Sequence, residues 1–194
     1  MGTRQGLSSL KINNTIVQDD KGFIWVGTED GLNKFDGHSF TVYKNIRQDS
    51  TSIINNIITA LYIDSKGRLW VASMSGLQYY DERMDHFKSV YLGQDRDLFR
   101  RHPVKWIMED GQKNLWFGVE DKGALKYPLN GQKPAWFYAD NAPGHLKGRS
   151  IRSIVADNNG NIWFATFDKG VSVYNPAANS FTYYNMENNA LAAN

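Results

Sequence analysis

The sequence predicts an all-β protein built from repeated four-stranded sheets, and three observations predict it. Tryptophan recurs at Trp25, Trp70, Trp116 and Trp163, with gaps of 45, 46 and 47 residues. Each Trp keeps the same company. An Asp stands six residues before it (Asp19, Asp64, Asp110, Asp157) and an aliphatic nine before (Ile16, Leu61, Ile107, Ile154). A Gly stands six or seven residues after it (Gly31, Gly76, Gly123, Gly170) and an aromatic ten or eleven after (Phe35, Tyr80, Tyr127, Tyr174). Between these marks, short β-branched and aromatic runs alternate with Asp/Gly turns, and no stretch shows helical periodicity. Coincident features at one period mean an internal repeat, and four short strands per repeat of this length read as a β-propeller blade.

The first repeat justifies its strands in order. Ile12 to Gln18 is β-branched-rich, and Asp19-Asp20-Lys21-Gly22 is a turn. Phe23 to Thr28 is a short apolar strand, closed by Glu29-Asp30-Gly31. Leu32 to Phe35 alternates apolar and polar, Asp36-Gly37-His38 turns the chain, and Phe40 to Tyr43 alternates again. Such runs joined by Asp/Gly turns are antiparallel hairpins. The second repeat predicts strands over 57–63, 69–73, 77–80 and 87–91, the third over 104–109, 115–119, 125–127 and 136–138, and the fourth over 151–156, 162–166, 171–174 and 181–184. The repeats run over about 7–51, 52–98, 99–147 and 148–188, and 189–194 echoes the lead-in Gly6-Leu7-Ser8-Ser9 as the start of a further repeat.

The second strand of each repeat is apolar on both faces, as a sheet packed between two neighbours requires. That context makes the Trp ladder a core element rather than a row of carbohydrate-stacking rings. The Asp-x-x-Gly turns lack the further oxygens and the closing Glu of a calcium loop, so Asx-turn chemistry accounts for them.

Composition narrows the function. The chain has 194 residues, a net charge of +2 and no cysteine. It offers no global charge argument for nucleic acid, no thiolate site and no cysteine nucleophile. No window is apolar enough for a membrane span, and the first residues lack a signal-peptide core. The four histidines form no metal-spaced pair, and no nucleophile elbow or phosphate loop occurs, so neither a metal nor a cofactor is expected.

One asymmetry remains. In a propeller the links between blades share one face, here about 44–52, 92–103 and 139–149. Each link carries a net +1, and the rest of the chain is −1. Arg47, Arg100, Arg101, His102, His145, Lys147 and Arg149 are therefore the candidate ligand-binding residues, because long loops on one face are where binding concentrates.

The segment from Gln18 to Asp36 closely resembles the two-component regulator propeller repeat. Residues 64–81 and 157–175 resemble it well. Residues 110–127 resemble it less, with Gly111 displaced and Lys113 at the usual turn-glycine position. The resemblance implies the periplasmic sensor region of a hybrid two-component system, in which two seven-bladed propellers precede an immunoglobulin-like domain, a membrane span and a histidine kinase. It implies glycan fragments as ligands and signal output in a parent protein, but carries over no ligand-contact residue. It also implies that about four blades are part of a larger ring. Blades contact only their neighbours, so four blades leave two apolar faces to be met by further blades, by ring closure or by a second copy. The function expected is a non-catalytic, oligosaccharide-sensing segment without membrane contact of its own. The alternatives are an enzyme similar to the propeller lyases that open cyclic antibiotic peptides, and a protein–protein scaffold.

Overall fold

The computed structural model describes residues 6–92, 95–140 and 142–186, with the backbone alone at Asn14. The expected further repeat at 189–194 lies outside the described residues. Among the described residues, sixteen strands form four four-stranded sheets. The first holds β1 (Ile12–Gln18), β2 (Ile24–Thr28), β3 (Gly31–Phe35) and β4 (Phe40–Tyr43). The second holds β5 (Ile58–Ile63), β6 (Leu69–Ser73), β7 (Gly76–Asp81) and β8 (His86–Ser89). The third holds β9 (Val104–Glu109), β10 (Asn114–Val119), β11 (Gly123–Pro128) and β12 (Ala135–Tyr138). The fourth holds β13 (Ile151–Ala156), β14 (Ile162–Thr166), β15 (Val171–Asn175) and β16 (Ser180–Tyr184). Each sheet is an antiparallel meander whose strands lie side by side in sequence order. This is the all-β, blade-built architecture the repeat predicts, with strand ends moved by a few residues at most.

One element was not expected. A single helical turn, α1 (Leu98–Arg101), interrupts the link before β9. Four residues are too few to show a 3.6-residue period. The turn buries Leu98 and Phe99 and directs Arg100 and Arg101 to solvent.

The chain forms two compact units that part between Val104 and Lys105. The core of the first joins Trp25, Leu32, Ile53, Ile58, Leu61, Leu69, Val71 and Phe87. Trp25 stacks on Tyr43 at 5.7 Å and meets Tyr80 edge-on at 5.0 Å. The Tyr43 and Tyr80 hydroxyls both donate to Asp85 Oδ1, at 3.0 and 2.5 Å, and tie β4 to the β7–β8 turn. In the second unit Trp116 lies 5.0 Å from Phe137, 5.7 Å from Phe164 and 6.2 Å from Tyr174.

The recurring Asp does more than shape its turn. One carboxylate oxygen of Asp64 accepts the Lys66 and Arg68 backbone N–H groups, at 2.9 and 3.0 Å. The other accepts the Trp70 indole N–H at 2.9 Å. Asp19, Asp110 and Asp157 hold Trp25, Trp116 and Trp163 in the same way, at 2.8, 2.8 and 2.9 Å. The six-residue spacing places the carboxylate at the indole N–H, so each Trp has its one donor satisfied. The recurring Gly has a steric cause. Gly31 adopts φ +127, and a Cβ there would stand 2.8 Å from the Tyr43 carbonyl oxygen. Gly76 keeps an ordinary φ, yet a Cβ would stand 2.7 Å from Ile54 Cδ1.

The ladder departs from expectation at its last rung. Trp25, Trp70 and Trp116 are at most 1% exposed, whereas Trp163 is 38% exposed. Trp163 keeps its Asp157 bond and stacks on Tyr184 at 5.8 Å. Its outer face has no covering sheet among the described residues, so it is not the buried clamp that the repeat pattern predicts.

Candidate functional site

The links that carry the candidate residues are anchored, not free. Leu7, Ile53, Phe99 and Leu146 recur at spacings of 46, 46 and 47 residues, and all four are buried. Each drives an apolar side chain into the core from an otherwise polar segment. Buried polar residues of the third strands clasp the same segments. Asn33 accepts the Ser8 N–H at 2.9 Å, Gln78 accepts the Ile54 N–H at 2.8 Å, and Ser172 accepts the Lys147 N–H at 3.3 Å. This sixth repeating feature was present in the sequence but hidden by its polar neighbours.

In the first unit, the link between the first two sheets lies beside their β2–β3 and β6–β7 turns. Gly31 N–H donates to the Asn56 carbonyl at 2.8 Å, Lys44 Nζ meets Asp30 at 2.5 Å, and Asn55 donates to Ser75 Oγ at 2.9 Å. Arg47 is exposed on this link. On α1, both arginines are matched by carboxylates. Arg100 Nε lies 3.1 Å from Asp97, and Arg101 Nη2 lies 2.5 Å from Asp95. Arg96 lies 5.4 Å from the exposed Tyr91 ring. His102 ends the helical turn, its backbone N–H donating to Leu98 O at 2.9 Å.

In the second unit, His145 Nδ1 meets Asp140 Oδ1 at 2.8 Å. The Ala142 backbone N–H first, and His145 second, hold the Asp140 carboxyl below its ordinary range. Lys147 Nζ donates to the Ala142 carbonyl at 3.0 Å and lies 5.5 Å from the Tyr183 ring, whose hydroxyl donates to the His145 carbonyl at 2.8 Å. Arg149 is exposed, and its carbonyl accepts the Asp121 N–H at 3.2 Å.

The same end of this unit carries residues that charge counting missed. Phe167 is 73% exposed at the β14–β15 turn, where its N–H donates to the Ser150 carbonyl at 3.0 Å. The Arg152 guanidinium lies 4.8 Å from its ring. Trp136 and Tyr138 stack at 5.8 Å, with Lys122 Nζ 5.8 Å from the Trp136 ring. Aromatic faces beside cations can stack on a flat apolar ligand face while donating charge-assisted hydrogen bonds. The structure thus gathers Arg100, Arg101 and His102 in one unit and His145, Lys147 and Arg149 in the other. Among the described residues no cluster of His, Asp and Glu is arranged to hold a metal ion.

Residues 6–30, 52–75 and 145–168 match the two component regulator propeller family. Together these stretches hold 73 of the 194 residues. Each matched stretch begins at or just before an anchor, Leu7, Ile53 or Leu146, and runs through the β2–β3-type turn. The third repeat, with α1 before it and Lys113 in its turn, lies outside the matched stretches.

Over 48 residues, 25% of this chain, the sequence is 58% identical to histidine kinase P4 of Formosa agariphila, of which it spans 3%. The extracellular domain of a hybrid two component system from B. thetaiotaomicron superposes with a TM-score of 0.82 at 24% identity, over 95% of this chain and 26% of that one. A one component system's extracellular domain from the same organism gives 0.73 at 23% identity, over 92% and 25%. Virginiamycin B lyase from Staphylococcus aureus gives 0.63 at 16% identity, over 93% and 60%. These likenesses establish the β-propeller fold. The chain spans about a quarter of the two B. thetaiotaomicron domains.

Proposed function

We propose that this chain is a non-catalytic, ligand-sensing segment of a two-component system propeller, that its ligand is an oligosaccharide, and that it acts in the periplasm for a kinase elsewhere in its parent protein. The observation that carries the reading is the match of three repeats to the two component regulator propeller family. We take the link end of the second unit as the candidate ligand surface, because Phe167 beside Arg152, the Trp136–Tyr138 stack and the exposed Arg149 offer aromatic faces and cations there. A sugar ring presents an apolar face and a rim of hydroxyl or carboxylate groups, which such a surface complements. The lyase alternative finds support in the fold alone.

A thermal-shift screen of neutral, uronic and sulfated oligosaccharides tests the proposal. A ligand at 100 times its Kd stabilises by about 2.7 kcal/mol. For a domain of this size that raises Tm by roughly 5–10 °C. No shift with any glycan, alongside capture of a protein partner by the intact chain, would favour the scaffold reading.

A further inference from the structure

Gly follows Asn twice in the chain, at Asn130-Gly131 and at Asn159-Gly160. Both pairs stand in exposed turns, the first between β11 and β12 and the second between β13 and β14. Both glycines hold a left-handed φ, +88 and +81, and a Cβ at either would meet nothing within 4 Å. Backbone shape and space therefore do not separate the two pairs. Their hydrogen bonds do.

In the β13–β14 turn the Gly160 N–H donates to the Asp157 carbonyl at 3.0 Å, and the Asn159 N–H donates to Asp157 Oδ1 at 2.9 Å. This is the turn of the repeat itself. Gly22 and Gly67 donate to the Asp19 and Asp64 carbonyls in the same way, at 3.0 and 2.8 Å. The β11–β12 turn is built differently. There the Gln132 N–H donates to Asn130 Oδ1 at 3.1 Å. That bond turns the Asn130 amide forward along the chain, over the peptide that joins it to Gly131. It also sets a donor on the oxygen where negative charge develops when the amide carbon is attacked. The Gly131 N–H has no acceptor among the described residues.

We propose that Asn130 is a site of spontaneous deamidation and that its turn protects Asn159 from the same reaction. Hydroxide removes the Gly131 amide proton, and the nitrogen attacks Asn130 Cγ. The new N–C bond closes a succinimide ring as the side-chain nitrogen leaves as ammonia. Water then opens the ring at either carbonyl and gives aspartate or isoaspartate. Water is consumed and ammonia released, with nothing oxidised or reduced. At Asn159 the same attack must break the Gly160 bond to Asp157, which slows it by about tenfold. The product carries one more negative charge than the +2 parent. Isoaspartate also adds a methylene to the backbone of the loop that brings Ala135 opposite Lys126. The proposal rests on turn geometry and is independent of the sensor reading.

Ageing the intact chain in mildly alkaline buffer tests it, with peptide mass spectrometry and isoaspartyl methyltransferase labelling to locate the products. Asn130 is expected to convert about ten times faster than Asn159. In guanidinium chloride the Gly160 bond is gone, and the two rates should converge. Asn130→Gln keeps an amide but enlarges the ring that attack must close. It should lose the early acidic shift that the wild-type chain shows on isoelectric focusing, and circular dichroism checks that it remains folded. Equal rates at the two sites in the folded chain would overturn the proposal. So would a preference for Asn130 that persists in guanidinium chloride, because it would then belong to the local sequence and not to the turn. An Asn130→Gln chain that shifts as fast as the wild type would overturn it as well.

Discussion

Replacing Asp64 with Ala removes an acceptor that five donors share. The Lys66 and Arg68 backbone N–H groups, the Trp70 indole N–H and two nitrogens of the Arg68 guanidinium all point at its carboxylate. Trp70 is 1% exposed, so in Asp64→Ala its N–H is stranded away from water. One stranded buried donor costs ~2 kcal/mol. Loss of the two turn bonds, which water partly replaces, adds ~1 kcal/mol. The total, about 3 kcal/mol, lowers Tm by roughly 6–12 °C in a chain of this length. Asp157→Ala deletes the matching turn and indole bonds, with the Asn161 amide in place of the Arg68 guanidinium, but Trp163 is 38% exposed and water can take over the indole N–H. Its cost is expected to be clearly smaller. Urea unfolding followed by far-ultraviolet circular dichroism measures both. A double-mutant cycle isolates the indole bond. In a Trp70→Phe background, which has no donor, the cost of Asp64→Ala should drop by ~2 kcal/mol. Equal losses at Asp64 and Asp157, or a cycle with no coupling, would refute the claim that the carboxylate's main work is to satisfy the buried indole.

Three further outcomes follow from the repeat geometry. Lys113 occupies the turn position of Gly22, Gly67 and Gly160 at φ +65, so Lys113→Gly should stabilise by about 1 kcal/mol in urea unfolding; a destabilised variant would show that its side chain matters more than its backbone. Ile53→Ala and Leu146→Ala empty fully buried anchors and should each cost about 2–5 kcal/mol, against little for a neighbouring exposed link residue such as Arg47→Ala. Bonds from Trp163, then Asn161, hold the Asp157 carboxyl at about 2, against an ordinary value of 3.8. A depressed carboxyl stabilises the fold above the unfolded value and loses that contribution as pH falls through the folded one, so Asp157 should lose its effect between about pH 4 and 2; an NMR titration midpoint near 3.8 would contradict this.

The strands were legible because turn chemistry and alternation are local. Asp and Gly mark the hairpins, and each run between them has nowhere else to end. Burial of Trp25, Trp70 and Trp116 was legible because their strands are apolar on both faces. Trp163 sits in the same local pattern, and its exposure depends on what packs over it, which no local pattern records. The anchors Leu7, Ile53, Phe99 and Leu146 keep a regular period, yet a single apolar residue in a polar segment gives no strand or helix signal. Charge counting located Arg100 and Arg101 but not their pairing with Asp97 and Asp95, because a net charge carries no geometry. Phe167 falls just past the strand predicted over 162–166, and only its exposure beside Arg152 sets it apart.

Equilibrium titration of the intact chain with an oligosaccharide that shifts its melting temperature, carried through Phe167→Ala, Arg152→Ala and Trp163→Glu, bears most directly on the sensing surface. The account predicts binding that falls at least tenfold in Phe167→Ala and Arg152→Ala and persists in Trp163→Glu, since that residue faces a different surface. Binding unchanged in the first two variants, or lost only in the third, would contradict it.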